Sequence, residues 1–283
     1  MHKIFSNGCS FLTPRPKDGV DTFVSDIIAK EYKCELTNLA MGGRGNDRIS
    51  FSTKVWFEQN NTKDIFAIIG WSSMHRNDYV TNDGWKKGRI PQTDLTWRTW
   101  KTLDNVSFIR EKSGWDIENN GIMNFLDNVF DLQNYFERKN IPYVMYNALP
   151  NSFQTDVRDF EVIKSCLNMK RFFMPNLSHY EFIIDKKYIV SPQDPHPSLQ
   201  GHEEWAKMLV DFIKENKLTE KGIKVVGVDA DTEKALNKLS EGNRVAFADA
   251  EDPGFWSKLR FGKLKVIVLA LPCLLYTSDA ADE

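Results

Sequence analysis

The sequence has few cysteines, no long apolar run and almost no excess of charge. Its four cysteines, Cys9, Cys34, Cys166 and Cys273, lie far apart and form no CxxC pair. A disulfide framework and a cysteine-rich metal site are therefore not expected, and free thiols favour a cytoplasmic protein. The N-terminal residues lack the apolar core of a signal peptide. The longest apolar run, near the C-terminus, is shorter than the ~20 residues that cross a bilayer, so no membrane partner is expected.

The small net charge gives no support to nucleic-acid binding. At pH 7 the net charge is -2, with no dense basic segment, so nothing in the bulk charge favours nucleic acid as a partner. The length of 283 residues allows one large domain or two smaller ones, at ~150 residues each. Hydrophobic residues at 41% and charged residues at 27% are typical of a globular protein.

Short apolar runs alternate with amphipathic patterns along most of the chain. Strands are predicted over residues 3–5, 35–39, 64–71 and 141–146. Helices are predicted over residues 22–34, 46–57, 124–139, 159–169 and 201–217, with Asp21 or Thr22 as the cap of the first. This alternation predicts an α/β fold with a doubly wound parallel sheet. Residues 191–197 are predicted to form a loop.

Residues 77–120 interrupt this alternation. The segment is rich in Trp, Asn, Asp, Gly and Lys and is predicted to be a long irregular insertion. Two interpretations remain open. Long loops in compact domains tend to be lids or binding surfaces, and here tryptophans would suit stacking on sugar rings. The alternative is a peripheral subdomain that covers the sheet.

Polar motifs follow the predicted strands, at the edge where open α/β sheets bind ligands. They are Gly8-Cys9-Ser10, the turn Gly42-Gly43-Arg44-Gly45-Asn46, the turn after Gly70, and Asp194-Pro195-His196 before the last helix of this region. A serine hydroxyl becomes a useful nucleophile when a base removes its proton. Ser10 with His196 as base is the pair that these motifs favour.

These motifs resemble the blocks of SGNH (GDSL-like) hydrolases. The Gly-Asp-Ser-Leu block appears as Gly8-Cys9-Ser10-Phe11, the second block matches Asn38 and Gly43, and the closing Asp-x-x-His block appears in shorter form as Asp194-Pro195-His196. The resemblance implies a three-layer α/β/α, flavodoxin-like domain over residues 1–219. It also implies a serine esterase in which Ser10 is the nucleophile, His196 the base and Asp194 the residue that orients it.

The resemblance also implies an oxyanion hole. The backbone N–H groups of Ser10 and Gly43 are candidate donors, because they would face the negative oxygen of a tetrahedral intermediate. The family's third block, Gly-x-Asn-Asp, reads Gly70-Trp71-Ser72-Ser73 here. The third donor is then the Ser72 hydroxyl, which we favour, or Asn46.

Three further residues compete for roles at this site. Arg76 follows the third strand and is either a substrate contact or part of a solvated turn. His75 is expected to lie in that solvated turn. His202 could compete with His196 as base, but it lies at a predicted helix start, where a structural role is expected.

The function favoured by these residues is hydrolysis of small-molecule or carbohydrate acyl esters, without metal or cofactor. One alternative is a catalytically silent binding or structural module of the same fold, which the missing third-block Asn favours. The acyl group and the alcohol stay open.

The C-terminal region shows a second α/β pattern, with strands predicted over residues 224–229, 244–247 and 266–271 and helices over residues 232–240 and 255–259. Residues 223–272 resemble part of the NAD-binding domain of potassium transport proteins (TrkA-N or Kef type), which implies a truncated Rossmann-like segment over residues 220–272 with Asp229 at the ribose position. This gives another alternative, an NAD-sensing regulatory fragment. The Gly-x-Gly-x-x-Gly turn that binds the pyrophosphate is absent, so no NAD binding is expected. Residues 273–283 resemble a translated sequencing adapter and are predicted to be a non-native tail.

Overall fold

The computed structural model describes residues 2–80, 97–101, 116–153, 157–219, 227–229, 231–240 and 245–247. The chain forms two compact units, Met1–Gly222 and Ile223–Glu283. The strands of the first unit are β1 (Lys3–Gly8), β2 (Glu35–Asn38), β3 (Ile65–Trp71), β4 (Arg76–Val80), β5 (Trp97–Lys101), β6 (Tyr143–Asn147), β7 (Phe172–Phe173), β8 (Ile189–Ser191) and β9 (Asp194–Pro197). Its helices are α1 (Val24–Glu31), α2 (Asn46–Gln59), α3 (Ile117–Lys139), α4 (Arg158–Ser165), α5 (His179–Lys186) and α6 (Leu199–Glu215). None of the described helices is both long and apolar enough to cross a membrane.

Five parallel strands form the central sheet of the first unit, in the order β2-β1-β3-β6-β7. The prediction of an α/β fold with a parallel sheet is therefore confirmed. β1 lies between β2 and β3. The strand order therefore reverses at β1: the chain first goes to one side of β1, to form β2, and then to the other side, to form β3. Such a switch opens a crevice at the carboxyl ends of β1 and β3, where doubly wound sheets bind ligands.

Different helices cover the two faces of this sheet. Alternate residues of β3 enter opposite cores, Ile65, Ala67, Ile69 and Trp71 on one face and Phe66 and Ile68 on the other. α2 and α3 contribute Phe57 and Phe125 to the first core, whereas α1 and α6 contribute Ile28 and Trp205 to the second. Every residue of β3 is buried, which explains its unbroken apolar sequence, because strands of a covered parallel sheet have no solvent face.

Several helix starts differ from the prediction, and the start of α3 differs most. α1 begins after Phe23, and no side chain caps it, so the expectation of a cap at Asp21 or Thr22 was wrong. α3 begins at Ile117, earlier than predicted, because the Asp116 side chain accepts a hydrogen bond from the Asn119 N–H at 3.0 Å.

Part of the predicted irregular insertion is regular. β4 and β5 form an antiparallel hairpin in which Val80 lies opposite Trp97. Trp97 is buried and packs against Phe51 of α2, with ring centroids 5.5 Å apart. Residues 81–96 and 102–115 of the insertion lie outside the described residues, and residues 117–120 belong to α3. The prediction of an irregular segment was thus wrong for this hairpin.

The segment before α6 is also regular, although it was predicted to be a loop. β8 and β9 pair in antiparallel fashion, with Ser191 opposite Asp194 and Ile189 opposite Pro197. Prolines obscured this strand, because proline cannot donate a ladder hydrogen bond and is found at sheet edges. The correction matters for the site, since residues two apart in a strand project on the same side.

The second unit contains β10 (Gly227–Asp229), α7 (Thr232–Ser240) and β11 (Val245–Phe247), and the two strands pair in parallel. Strand, helix and strand follow one another in the predicted order, and the Rossmann-like character of this segment stays a prediction. Asp229 is the last residue of β10. The predicted helix 255–259, the predicted strand 266–271 and the tail 273–283 lie outside the described residues.

Candidate active site

Ser10 lies just beyond the carboxyl end of β1. The strand ends at Gly8, and Ser10 begins a short 3-10 turn that continues to Leu12. Glycine is needed here, because a Cβ atom on Gly8 would lie 2.7 Å from the carbonyl oxygen of Gly70 on β3. Because Gly8 has no side chain, β1 can lie close to β3 here, and the chain can turn directly after the strand. The half-buried Ser10 hydroxyl is thereby presented at the crevice between β1 and β3.

Ser10 is hydrogen-bonded to His196, which comes from the far end of the first unit. The Ser10 Oγ lies 2.9 Å from the His196 Nε2, across 186 positions of sequence. On the other side of the ring, His196 Nδ1 lies 2.5 Å from the Asp194 Oδ1. A ring protonated on Nδ1 satisfies both contacts, since it donates to the carboxylate and accepts from the hydroxyl.

Asp194 and His196 meet because both belong to β9 and project on the same side of it. The second oxygen of Asp194, Oδ2, is paired with the Arg15 Nη2, and Arg15 Nη1 lies 3.4 Å from Oδ1. The hydrogen bond from His196, together with the charges of His196 and Arg15, holds the pKa of Asp194 below its usual range. The carboxyl group is therefore kept ionised beside the imidazole.

The glycine-rich turn after β2 approaches Ser10. A Cβ atom on Gly42 would lie 3.8 Å from the Ser10 Cβ. Gly43 has φ +79°, a left-handed conformation that favours glycine. The turn is anchored by Arg44, whose buried Nη1 donates to the Asn7 Oδ1 at 3.1 Å. Burial lowers the pKa of Arg44 to about 10, so its charge is retained at neutral pH.

Asn46 and Ser72 are joined at the same edge of the sheet. Asn46 is the first residue of α2, and its Oδ1 accepts a hydrogen bond from the Ser72 N–H at 2.8 Å. Both side chains are buried. The Ser72 Oγ accepts a hydrogen bond from the Arg76 Nη1 at 3.1 Å. The Asn46 Nδ2 group, in contrast, donates no hydrogen bond to any residue of the described part of the chain.

Arg76 begins β4 and points its guanidinium toward Ser72 and Cys9. Burial raises the pKa of the Cys9 thiol, while the Arg76 charge and the Ser72 hydroxyl act in the opposite direction. Across the residues that the structure describes, Arg76 forms no ion pair with a carboxylate. Its Nη1 also lies 3.5 Å from the Arg44 carbonyl oxygen.

The structure does not bring the other two candidate histidines to Ser10. His202 is buried on α6, and burial lowers its pKa to about 4. His75 Nε2 lies 3.6 Å from the Glu118 Oε2 on α3. Among the described histidines, His196 alone is hydrogen-bonded to Ser10.

Arg15 is the site residue that sequence reasoning missed. It lies in Pro14-Arg15-Pro16, a combination that predicts a turn and nothing about a distant carboxylate. Its partner Asp194 is 179 positions away, so no local pattern could have joined them. Among the described residues, no three His, Cys, Asp or Glu side chains cluster as a metal site would require.

Comparisons with known proteins give similarity at the level of structure only. No family model matches the sequence, and no curated protein matches it. The psychrotrophic esterase EstA from Pseudoalteromonas sp. is 10% identical, over 76% of this chain and 98% of that chain, with a TM-score of 0.43. A putative lipolytic protein of the G-D-S-L family from Desulfitobacterium hafniense is 12% identical, over 75% and 99% of the two chains, with a TM-score of 0.37. An acetylxylan esterase from Geobacillus stearothermophilus is 12% identical, over 75% and 94%, with a TM-score of 0.43.

Proposed function

We propose that residues 1–219 form a serine hydrolase of the SGNH type, on a flavodoxin-like sheet, which cleaves carboxylic esters through an acyl-Ser10 intermediate. One observation carries this proposal: the hydrogen-bonded series from Ser10 Oγ to His196 Nε2, and from His196 Nδ1 to Asp194 Oδ1. Nucleophile, base and orienting carboxylate in this order are the arrangement that activates a serine hydroxyl.

The geometry supports a two-step reaction. The Ser10 Oγ attacks the ester carbonyl carbon while His196 Nε2 takes the hydroxyl proton. The tetrahedral intermediate collapses, the carbon–oxygen bond to the alcohol breaks, and His196 returns the proton to the departing alcohol. Water then attacks the acyl-Ser10 ester by the same proton transfers, which releases the acid and restores the serine. Asp194 stabilises the imidazolium in both steps.

The oxyanion is proposed to lie among the backbone N–H groups of Ser10 and Gly43 and one side chain. Neither backbone group donates to another described residue. For the third donor, the contacts favour the Asn46 Nδ2 over the Ser72 hydroxyl. The carbonyl end of Asn46 is fixed by the Ser72 N–H, which turns the amide so that its Nδ2 is the free end.

The substrate is proposed to be a small acyl ester, with carbohydrate esters as the class to test first. The abundance of tryptophan in the sequence of residues 77–115 is the ground for this choice, because tryptophan rings can stack on sugar rings. Trp97 itself is buried against Phe51. Arg76 is proposed as a substrate contact, because its charge has no described carboxylate partner.

Turnover of p-nitrophenyl acetate and of acetylated xylose by the full chain tests the proposal. We expect Ser10→Ala to lower kcat by about 10³-fold or more. Ser165→Ala removes an exposed serine on α4 and should leave turnover unchanged. Equal turnover by the wild type and Ser10→Ala would overturn the proposal.

Labelling separates the enzyme from the silent module. A fluorophosphonate probe forms an Oγ–phosphorus bond with an activated serine, and fluoride departs. We expect the mass of the Ser10 peptide to rise in the wild type, and to stay unchanged in His196→Ala because the base is gone. A wild type that neither turns over esters nor reacts at Ser10 is the silent module.

A further inference from the structure

Asp194 is unusually open for a residue that orients a catalytic base. Its side chain is 32% exposed and that of His196 is 28% exposed, whereas the corresponding aspartate of serine proteases is buried. An exposed carboxylate is hydrated and can rotate, so something else must hold its plane. The described contacts of Asp194 identify Arg15 as the residue that does so.

The Arg15 guanidinium is fixed at three of its nitrogens. Nη2 and Nη1 contact the two carboxylate oxygens of Asp194, and Nε donates to the Asp18 Oδ2 at 2.7 Å. Its backbone is fixed as well: Arg15 N donates to the Val20 carbonyl at 2.6 Å, and Val20 N donates back at 3.1 Å. A planar, two-pronged cation held in this way imposes one orientation on the carboxylate.

We propose that Arg15 is a positioning residue, which locks the Asp194 carboxylate onto His196 and limits how strongly that carboxylate favours the imidazolium. The inference rests on the proposed function, since it concerns the base of that reaction. The positive charge of Arg15 partly neutralises the carboxylate of Asp194. The carboxylate therefore attracts a protonated His196 ring less strongly than an unpaired carboxylate would. Loss of Arg15 would therefore change the pH dependence of turnover as well as the orientation of the base.

The charged and titratable groups around His196 agree with this assignment. Asp194 faces it from β9, and Arg15 with its partner Asp18 faces Asp194 from the turn after Ser10. From α6, His202 contributes no charge near neutral pH, because burial lowers its pKa to about 4. Phe11 covers the ring with centroids 5.3 Å apart. Among the described residues, Arg15 is thus the cation that directly contacts the Asp194–His196 pair, through Asp194.

The test compares the acid limb of kcat/KM and the NMR titration of the His196 ring in four full-length proteins: wild type, Arg15→Gln, Arg15→Lys and Lys17→Gln. For Arg15→Gln we expect both the limb and the ring titration to move up by about half to one pH unit, as loss of a nearby charge predicts. We also expect kcat to fall about 10-fold, from a misoriented base. Arg15→Lys keeps the charge but not the two-pronged contact. We therefore expect its kcat to fall while the acid limb of its kcat/KM profile stays at the wild-type pH.

Lys17→Gln is the matched control. It removes the same charge from the same turn, at an exposed side chain that makes no described ion pair. We expect neither limb nor titration to move. The inference is overturned if Arg15→Gln titrates like the wild type, or if Lys17→Gln shifts His196 equally. Absence of esterase activity in the wild type would instead contradict the proposed function. The NMR titration of His196 in the four proteins would still decide the role of Arg15.

Discussion

The side-chain carbonyl of Asn46 accepts a hydrogen bond from the backbone N–H of Ser72, 2.8 Å away. This contact joins the start of α2 to the end of β3 and fixes which end of the amide is free. We expect Asn46→Ala to lower kcat by about 10²- to 10³-fold, the usual cost of a lost oxyanion donor. Ser72→Ala should cost much less, since it keeps the N–H that orients Asn46. Turnover of p-nitrophenyl acetate checks both.

Asn46→Asp sharpens this comparison. The substitution keeps an oxygen for the Ser72 N–H to bind but removes the Nδ2 donor, so its kcat should fall at least as far as that of Asn46→Ala. Folding of each variant is checked by near-UV circular dichroism. If Ser72→Ala is the more damaging change, the third donor is the Ser72 hydroxyl.

Asp194→Asn tests whether Asp194 orients His196, the proposed base. The amide can present its NH₂ to His196 Nδ1, which favours the wrong tautomer and leaves Nε2 protonated toward Ser10. We expect kcat to fall by about 10⁴-fold with little change in KM. Asp185→Asn, an exposed carboxylate on α5, is the control and should behave as the wild type does. A loss in KM alone would argue against this role for Asp194.

The sheet and the residues at its edge were predictable because their signals are local. The apolar run of β3, for example, is continuous because every one of its residues is buried. Ser10 could be assigned to a strand end because Gly8 breaks the pattern directly before it. Such signals lie within a few residues of one another, so a single sequence carries them.

The contacts that orient the site were not predictable, because they join distant residues. Arg15 meets Asp194 across 179 positions, and Arg48 meets Asp78 across 30. Neither pair shares a helix face or a strand, so periodicity cannot reveal it. The prolines of β9 concealed its strand, although the same-side projection of Asp194 and His196 depends on it.

Gly43→Ala tests the turn that carries a proposed oxyanion donor. A Cβ atom at Gly43 would meet nothing within 4 Å, so the cost arises from its φ of +79° and not from a clash. We expect about 1–2 kcal/mol less stability toward urea, and a lower kcat from a displaced N–H. Gly43→Asn is the control, because asparagine adopts this conformation more readily. An equal loss in both variants would point to crowding instead.

His202 gives the fold a dependence on pH. Its folded pKa of about 4 lies below the unfolded value of about 6.5, so protonation favours the unfolded chain. The stability contributed by neutral His202 is full above pH 6.5 and is lost as the pH falls toward 4, by about 3 kcal/mol. Urea unfolding of His202→Gln should show a weaker loss over this range. His2→Gln, at an exposed position, should keep the wild-type dependence, and identical slopes for His202→Gln and the wild type would contradict the assignment.

Asp78 attaches the β4–β5 hairpin to the start of α2. Its Oδ2 accepts a hydrogen bond from the Arg48 N–H at 3.0 Å, and its Oδ1 accepts one from the Thr99 hydroxyl at 2.5 Å and lies 3.7 Å from Arg48 Nη2. The two charged side chains are 0% and 6% exposed. Burial raises the pKa of Asp78, whereas the positive charge of Arg48 lowers it. Loss of hydration therefore destabilises the buried pair, and its ionic and hydrogen-bonded contacts stabilise it.

Asp78→Ala would leave the buried Arg48 charge without this carboxylate, and the Arg48 N–H in the first turn of α2 without its acceptor. We expect the free energy of unfolding in urea to fall by about 3–5 kcal/mol, and kcat to fall with it because Asn46 begins the same helix. Asp131→Ala breaks an ion pair with Lys54 whose side chains are 31% and 53% exposed, and should cost no more than about 1 kcal/mol. The double variant Arg48→Met/Asp78→Leu removes both charges and should recover the part of the loss that comes from the unpaired Arg48 charge, but not the part from the unsatisfied Arg48 N–H and Thr99 hydroxyl. If Asp78→Ala costs no more than Asp131→Ala, this pair does not hold the hairpin to α2.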